Sequence, residues 1–296
     1  MDAQAHAAEA GVIAFVQRVI VASITLVLAS LGGAITERSG LIDLAIEAKL
    51  LFGAFAAATV GHATGSLAAA IAAGIVAGML VAAVQVGCAA IFEADQVIVG
   101  IGLNLVALAG TRFLMQVIYD TGTNTPPSPQ LADGVLANPL VWLAAAAAIA
   151  VPLALTRTRW GLRLRAAGDR PDALVAVGVS PARTRLYAAL VGGALAGAGG
   201  AKLSLAVAGF SADMAGGRGY IALAMVILAG WRPAYAALAC LGLAVADALE
   251  IHIEITTAIG RHIPPELAHL VPYVLTLVVL VAWSSHARKP PAALGK

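Results

Sequence analysis

Two carboxylates four residues apart, Asp43 and Glu47, stand in an otherwise apolar stretch, Leu41-Ile42-Asp43-Leu44-Ala45-Ile46-Glu47-Ala48-Lys49. That spacing puts them on one face of a helix. A carboxylate inside a membrane span is costly and faces a cavity or a partner group. Lys49 and Arg38 are the nearby cations able to neutralise the pair. Two roles fit: lining a polar path, or anchoring a helix that starts at Gly40. Further polar side chains interrupt apolar runs at Gln85, Asn104, Arg112, Gln116, Lys202, Ser204, Asp247 and Glu250. An amide in the middle of a span, as Asn104 would be, bonds a neighbouring helix or lines a path. Lys202 is expected to snorkel outward, and Trp142, Trp231 and Trp283 to act as interfacial anchors.

These groups do not add up to a catalyst. There is no HExxH, no GxSxG with partners, no CxxC and no P-loop. The histidines, His6, His62, His252, His262, His269 and His286, are dispersed, whereas a metal site needs a tight cluster. Cys88 and Cys240 fall in apolar runs and read as small core residues. The expectation is a protein that is not an enzyme, with no catalytic residue and no metal.

The elements that must position these residues are membrane helices. Of 296 residues, 60% are hydrophobic and 11% charged, with mean hydropathy +0.91; soluble domains carry about 25% charged residues. The fold class is therefore all-α and polytopic, with eight to ten transmembrane helices, some broken or partial. A span needs about 20 apolar residues. Spans are predicted near 12–35, 42–60, 67–91, 97–119, 139–155, 186–208, 219–231, 234–253 and 267–283. The N-terminus has no Lys or Arg before Arg18, so the first span is expected to stay in the mature protein. Gly193 and Gly197, four apart, are assigned to close helix packing. The spans at 42–60 and 219–231 are short or marked by Gly and charge. The second opens on Gly216-Gly217-Arg218-Gly219-Tyr220. Interrupted segments in opposite halves point to a transport pathway, which makes Asp43, Glu47, Asn104, Arg218 and Tyr220 the pathway candidates.

Residues 156–185 gather seven arginines against Asp169 and Asp172. A short Arg-rich loop between spans is held in the cytoplasm. Residues 120–138, with Thr, Asn and Pro but no Lys or Arg, then lie outside, and the basic tail at His286 to Lys289 lies inside. The loop is predicted to hold one small helix: Asp169 as its cap, Pro171 in its first turn, Ala173 to Val177 as its apolar face and Gly178 as its stop. Such a helix either docks into a groove on another protein or lies on the membrane surface. Nucleic-acid binding is excluded, because the basic cluster lacks aromatics and sits between spans.

Read together, the stretches resemble a known family. Leu31-Gly32-Gly33, Glu37-Arg38-Ser39-Gly40, Asp43, Glu47 and Gly53-Ala54-Phe55 are similar to the first signature of ABC-importer permeases. The branch is the one serving nucleosides and simple sugars, related to ribose and branched-chain amino acid permeases. Val97 to Leu105, Gly161 to Val179, Gly193 to Gly197 and Gly217 to Ala224 continue the match in order. The resemblance implies a single permease domain over 1–296 in the bacterial inner membrane. Its cytoplasmic loop at 156–185 would carry the coupling residues Arg165, Gly168, Asp169, Pro171, Ala173, Val177 and Gly178. It also implies ATP and magnesium in a partner ATP-binding subunit, a second and different permease, and an extracytoplasmic binding protein that delivers substrate. Asp43, where the family has Asn, and Ala48-Lys49, where it has Gly after the Glu, depart from the pattern: Asp43 either alters specificity or pairs with Lys49. The runner-up is a proton- or sodium-coupled transporter using Asp43 and Glu47, and a third class is a membrane scaffold.

Overall fold

The computed structural model describes residues 2–132, 134–256 and 290–295. Among these, ten helices follow one another: α1 (Asp2–Arg38), α2 (Ile46–Thr64), α3 (Leu67–Ile91), α4 (Gln96–Tyr119), α5 (Pro139–Arg157), α6 (Arg159–Asp169), α7 (Pro171–Ala176), α8 (Pro181–Ala206), α9 (Arg218–Leu228) and α10 (Pro233–Thr256). Ile13–Arg38 of α1, with α3, α4, α5 and α8, are long and apolar enough to cross a membrane. The chain is a polytopic helical membrane protein. The span predicted at 267–283, with Trp283, lies outside the described residues.

Short polar side chains set the starts of the long helices. Ser66 accepts from Ala69 N, Asp95 from Val97 N and Ile98 N, Asn138 from Leu140 N, and Ser180 from Arg183 N, each satisfying amides that a helix leaves free. The interior is built on α8. Its Gly192 meets Gly32 of α1, Gly193 and Gly197 meet Gly78 and Gly74 of α3, and Gly200 meets Leu50 of α2, backbone against backbone. Small residues permit that approach, and dispersion between close backbones is what associates spans in lipid. α1 and α8 are accordingly mostly buried, whereas α3, α4 and α5 keep broad apolar faces outward, among them Ile98, Leu105 and Phe113. At the end opposite the arginines, the Pro-rich loop lies extended against the last turn of α8 and the chain that follows it. Thr125 N donates to Phe210 O, Ser128 N to Ala208 O and Leu131 N to Leu205 O.

Of the two segments expected to be broken or partial, one starts irregularly and the other is short. The segment predicted as 42–60 is irregular from Leu41 to Ala45, and α2 starts only at Ile46. α9 has 11 residues, about 16 Å of helix, half of the roughly 30 Å hydrocarbon core.

The arginine-rich stretch corrects one expectation. It holds two helices, and Asp169 is the last residue of α6, not the cap of the helix after it; the cap position belongs to Arg170, which makes no side-chain cap bond. Thr158 caps α6, and burial of Gly161, Leu164, Ala167 and Gly168 along one side carries that helix through Asp169. Pro171 then disfavours helix at the residue before it and restarts the chain as α7. The stop at Gly178 is as expected. Its φ of +73° is the left-handed conformation, with Val179 N donating to Leu174 O at 2.9 Å and Gly178 N to Val175 O at 3.0 Å.

Candidate functional site

Backbone that leaves the helix inside an apolar bundle must find partners for its polar groups. In Leu41–Ala45 side chains supply them. Ile42 N donates to Gln96 Oε1 at 2.8 Å and Ile42 O accepts from Gln85 Nε2 at 3.0 Å. Asp43 N donates to Glu37 Oε1 at 3.4 Å. Asn104, two turns into α4, uses both ends of its amide. Its Nδ2 donates to Leu44 O at 2.8 Å and its Oδ1 accepts from Ala48 N at 2.9 Å.

The charges nearby are paired or capped. Lys49 Nζ and Asp43 Oδ1 form an ion pair at 2.5 Å, with side chains 0% and 1% exposed. Of the two readings of Asp43, the pairing one describes this geometry. Arg38, the other candidate neutraliser, instead donates from Nε to Trp231 O at 2.8 Å. Trp231 Nε1 donates to Glu37 Oε2 at 2.6 Å, so Trp231 is buried and not an interfacial anchor. A carboxylate within reach of the indole N–H draws the ring inward. Trp142 is exposed, and its Nε1 donates to Leu136 O at 3.0 Å.

Glu47 joins the two interrupted segments. Its carboxylate accepts from Gly217 N at 2.8 Å and Gly219 N at 2.6 Å, while α9 has no side-chain cap of its own. An acid here completes the free amides and faces the positive end of the helix dipole. Gly219 is required by closeness, since a methyl there would come within 2.6 Å of Glu47 Cα. At the next residue, Tyr220 Oη accepts from Asn104 Nδ2 at 2.9 Å, its ring half exposed. Arg218 folds back, Nη1 donating to Met214 O and Ala215 O. The structure thus brings Asp43, Glu47, Asn104 and Tyr220 into one cluster where α2, α4 and α9 meet, with Arg218 beside it. Lys202 is elsewhere, half-buried on a cavity of about 520 Å³ with Gln17, Arg18 and Asn138.

Glu47→Ala removes both acceptors at once. Each amide left buried costs about 1–3 kcal/mol, so the purified protein should melt at clearly lower temperature, with Glu47→Gln in between. Equal melting of all three would show that Glu47 does not hold α9.

Sequence reasoning gave Gln96 no role, took Glu37 only as part of a signature and read Trp231 as an interfacial anchor. Glu37 abuts Arg38 at the end of an apolar run, the usual pattern of a solvated helix end, yet it is 3% exposed. At the basic end of the molecule, α7 is anchored through buried Leu174 and turns Ala173, Val175 and Val177 outward, the two valines 62% and 72% exposed. Behind it Gly168 is buried and Arg165 partly so.

Residues 15–280 match the family described as branched-chain amino acid transport system / permease component. The guanosine ABC transporter permease protein NupQ of Bacillus subtilis (strain 168) is 29% identical over 290 residues, 90% of this chain and 91% of that protein. The nucleoside ABC transporter permease protein NupC of Lactococcus lactis subsp. cremoris (strain MG1363) is 29% identical over 300 residues, 94% of each. A putative glucose ABC transporter permease protein, TsgC13 of Haloferax volcanii, is 30% identical over 289 residues, 88% of each. No solved structure matches. A helical bundle with two interrupted segments meeting inside it, matched to these proteins along nearly its whole length, belongs to the branched-chain amino acid transport system permease family and is a membrane-embedded permease subunit of an ABC transporter.

Proposed function

We propose that this chain is the permease subunit of an ATP-driven importer of the bacterial cytoplasmic membrane that moves a nucleoside, or a simple sugar, inward. The observation that carries the substrate class is the chain-long similarity to permeases named for guanosine and nucleosides; the likeness to a glucose permease keeps sugars in the test. On this reading Arg165, Gly168, Asp169, Pro171, Ala173, Val177 and Gly178 belong to the coupling loop. An ATP-binding subunit, which holds ATP and magnesium, seats α7. A second, different permease completes the pore and an extracytoplasmic binding protein delivers the substrate. The Asp43, Glu47, Asn104, Arg218 and Tyr220 group lies along or beside the path. An ion-coupled transporter fits less well, because Asp43 is engaged by Lys49 and Glu47 by two backbone amides.

Val177→Asp tests the loop. Val177 is exposed, so the change costs little in folding, but it puts a charge into an apolar contact. Recovery of the ATP-binding subunit with the tagged permease should fall about tenfold while the permease accumulates normally. ATP-dependent uptake of radiolabelled guanosine and glucose by the reconstituted wild-type complex assigns the substrate. Undiminished recovery with Val177→Asp would overturn the docking assignment.

A further inference from the structure

Residues 290–295 lie against the basic end of the bundle and touch two elements at once. Ala293 N donates to Gly168 O at 2.8 Å, and Gly295 N donates to Gly40 O at 3.0 Å. Ala293 is buried, and Leu294 packs on the cluster of Ala34, Val226, Trp231 and Ala236.

The two acceptors are not ordinary positions. Gly168 is three residues before Pro171, where α7 starts. Gly40 opens the irregular stretch that leads to Asp43 and α2. They also touch each other: a methyl on Gly168 would collide with Arg38 O, and one on Gly40 would lie 3.3 Å from Gly168 Cα, 3.2 Å from Ala293 O and 3.1 Å from Arg185 Nη2. Arg185, from the first turns of α8, donates from Nε to Ser39 O at 3.2 Å. Four parts of the chain therefore converge on one joint: the end of α1, the end of α6, the start of α8 and residues 290–295. Gly295 and Ile42 also share the wall of a cavity of about 650 Å³ at this end, with Gln96, the residue that holds Ile42 N.

We propose that residues 290–295 are a staple that makes the loop helices and the interrupted segment move as one unit, so that Ala293 and Gly295 are positioning residues for transport. The inference rests on the import reading above. Without the staple, α6 and Gly40 are joined by packing between glycines and by no backbone hydrogen bond from the tail. A displacement of α7 by the ATP-binding subunit then dissipates at Gly168 instead of reaching Ile42 and Asp43. Proline at 293 removes the N–H that bonds Gly168 O, whereas serine keeps it.

The experiment is reconstitution of the whole complex, purified through this chain, with radiolabelled guanosine as the transported probe. Three variants are compared with wild type: removal of residues 290–296, Ala293→Pro and Ala293→Ser. The readout is guanosine imported per ATP hydrolysed, with the recovery of the ATP-binding subunit measured alongside. The ratio should fall about tenfold for the deletion and for Ala293→Pro, with full recovery of the ATP-binding subunit, and stay at wild type for Ala293→Ser. A wild-type ratio in Ala293→Pro overturns the staple. So does loss of the assembled complex in that variant, which would make the tail a structural element only. Absence of ATP-dependent uptake of both guanosine and glucose by the wild-type complex is a different result: it removes the import reading, and the staple with it.

Discussion

Lys49→Met should leave little folded protein, and adding Asp43→Asn to it should bring most of that protein back. The ammonium of Lys49 and the carboxylate of Asp43 are both sealed inside the bundle. Removing the cation strands a buried carboxylate, and breaking a buried pair from one side costs about 3–5 kcal/mol. That is a large share of the about 5–15 kcal/mol that holds a domain folded. Removing both charges is a different change, because a pair that has lost its hydration contributes little net stability and its apolar replacement is often neutral. Asp43→Asn alone strands the ammonium and should also lose stability. The measurement is the amount of each variant surviving heating in detergent, read as a double-mutant cycle. Survival of Lys49→Met equal to wild type would mean that the ion pair does not exist in the folded protein. The double variant also restores the asparagine that the resemblance leads one to expect at position 43. Asp43 and Lys49 then read as two departures that compensate one another.

This pair shows what a sequence can and cannot convey about the site. Asp43, Glu47 and Asn104 stood out because polar groups in apolar runs are few, and all three are buried at one junction. Their partners were harder to find. Asp43 had two cations within six residues, and only the backbone path between Gly40 and Ile46 selects Lys49 over Arg38. The donors to Glu47 are backbone amides 170 and 172 residues away, and a backbone amide has no signature in the sequence. The bundle was more legible, because apolar length marks a span wherever its neighbours lie. The loop was legible in its ending but not in its beginning. A glycine takes the left-handed conformation of residue 178 without steric cost, whereas α6 is fixed by burial of Leu164 and Ala167, which only the surrounding helices decide.

Gly197→Val should separate the bundle at its centre. Gly197 lies where α8 is crossed by α2 and α3 together: a methyl on Gly53 of α2 would come within 2.7 Å of Gly197 O, and one on Gly197 would collide with Gly74 O of α3. The obstacles are carbonyl groups, not the ends of flexible side chains, so no rotamer change makes room. Either helix must shift, and each is tied down elsewhere, α2 by Asn104 and Glu47 at its start and α3 by Gln85 to Ile42 O. Overpacking a core by a few methyl groups costs about 1–3 kcal/mol. Against two immovable backbones the cost should reach the top of that range, with a marked fall in accumulation and melting temperature. Gly102→Ala is the control, because nothing approaches a methyl at that position of α4 within 4 Å, and alanine is the better helix former by about 1 kcal/mol. That variant should match wild type or exceed it. If Gly197→Val melts with Gly102→Ala, α8 is not the close-packed centre of the bundle; if it alone collapses, the glycines of α8 are what allow α1, α2 and α3 to share one core.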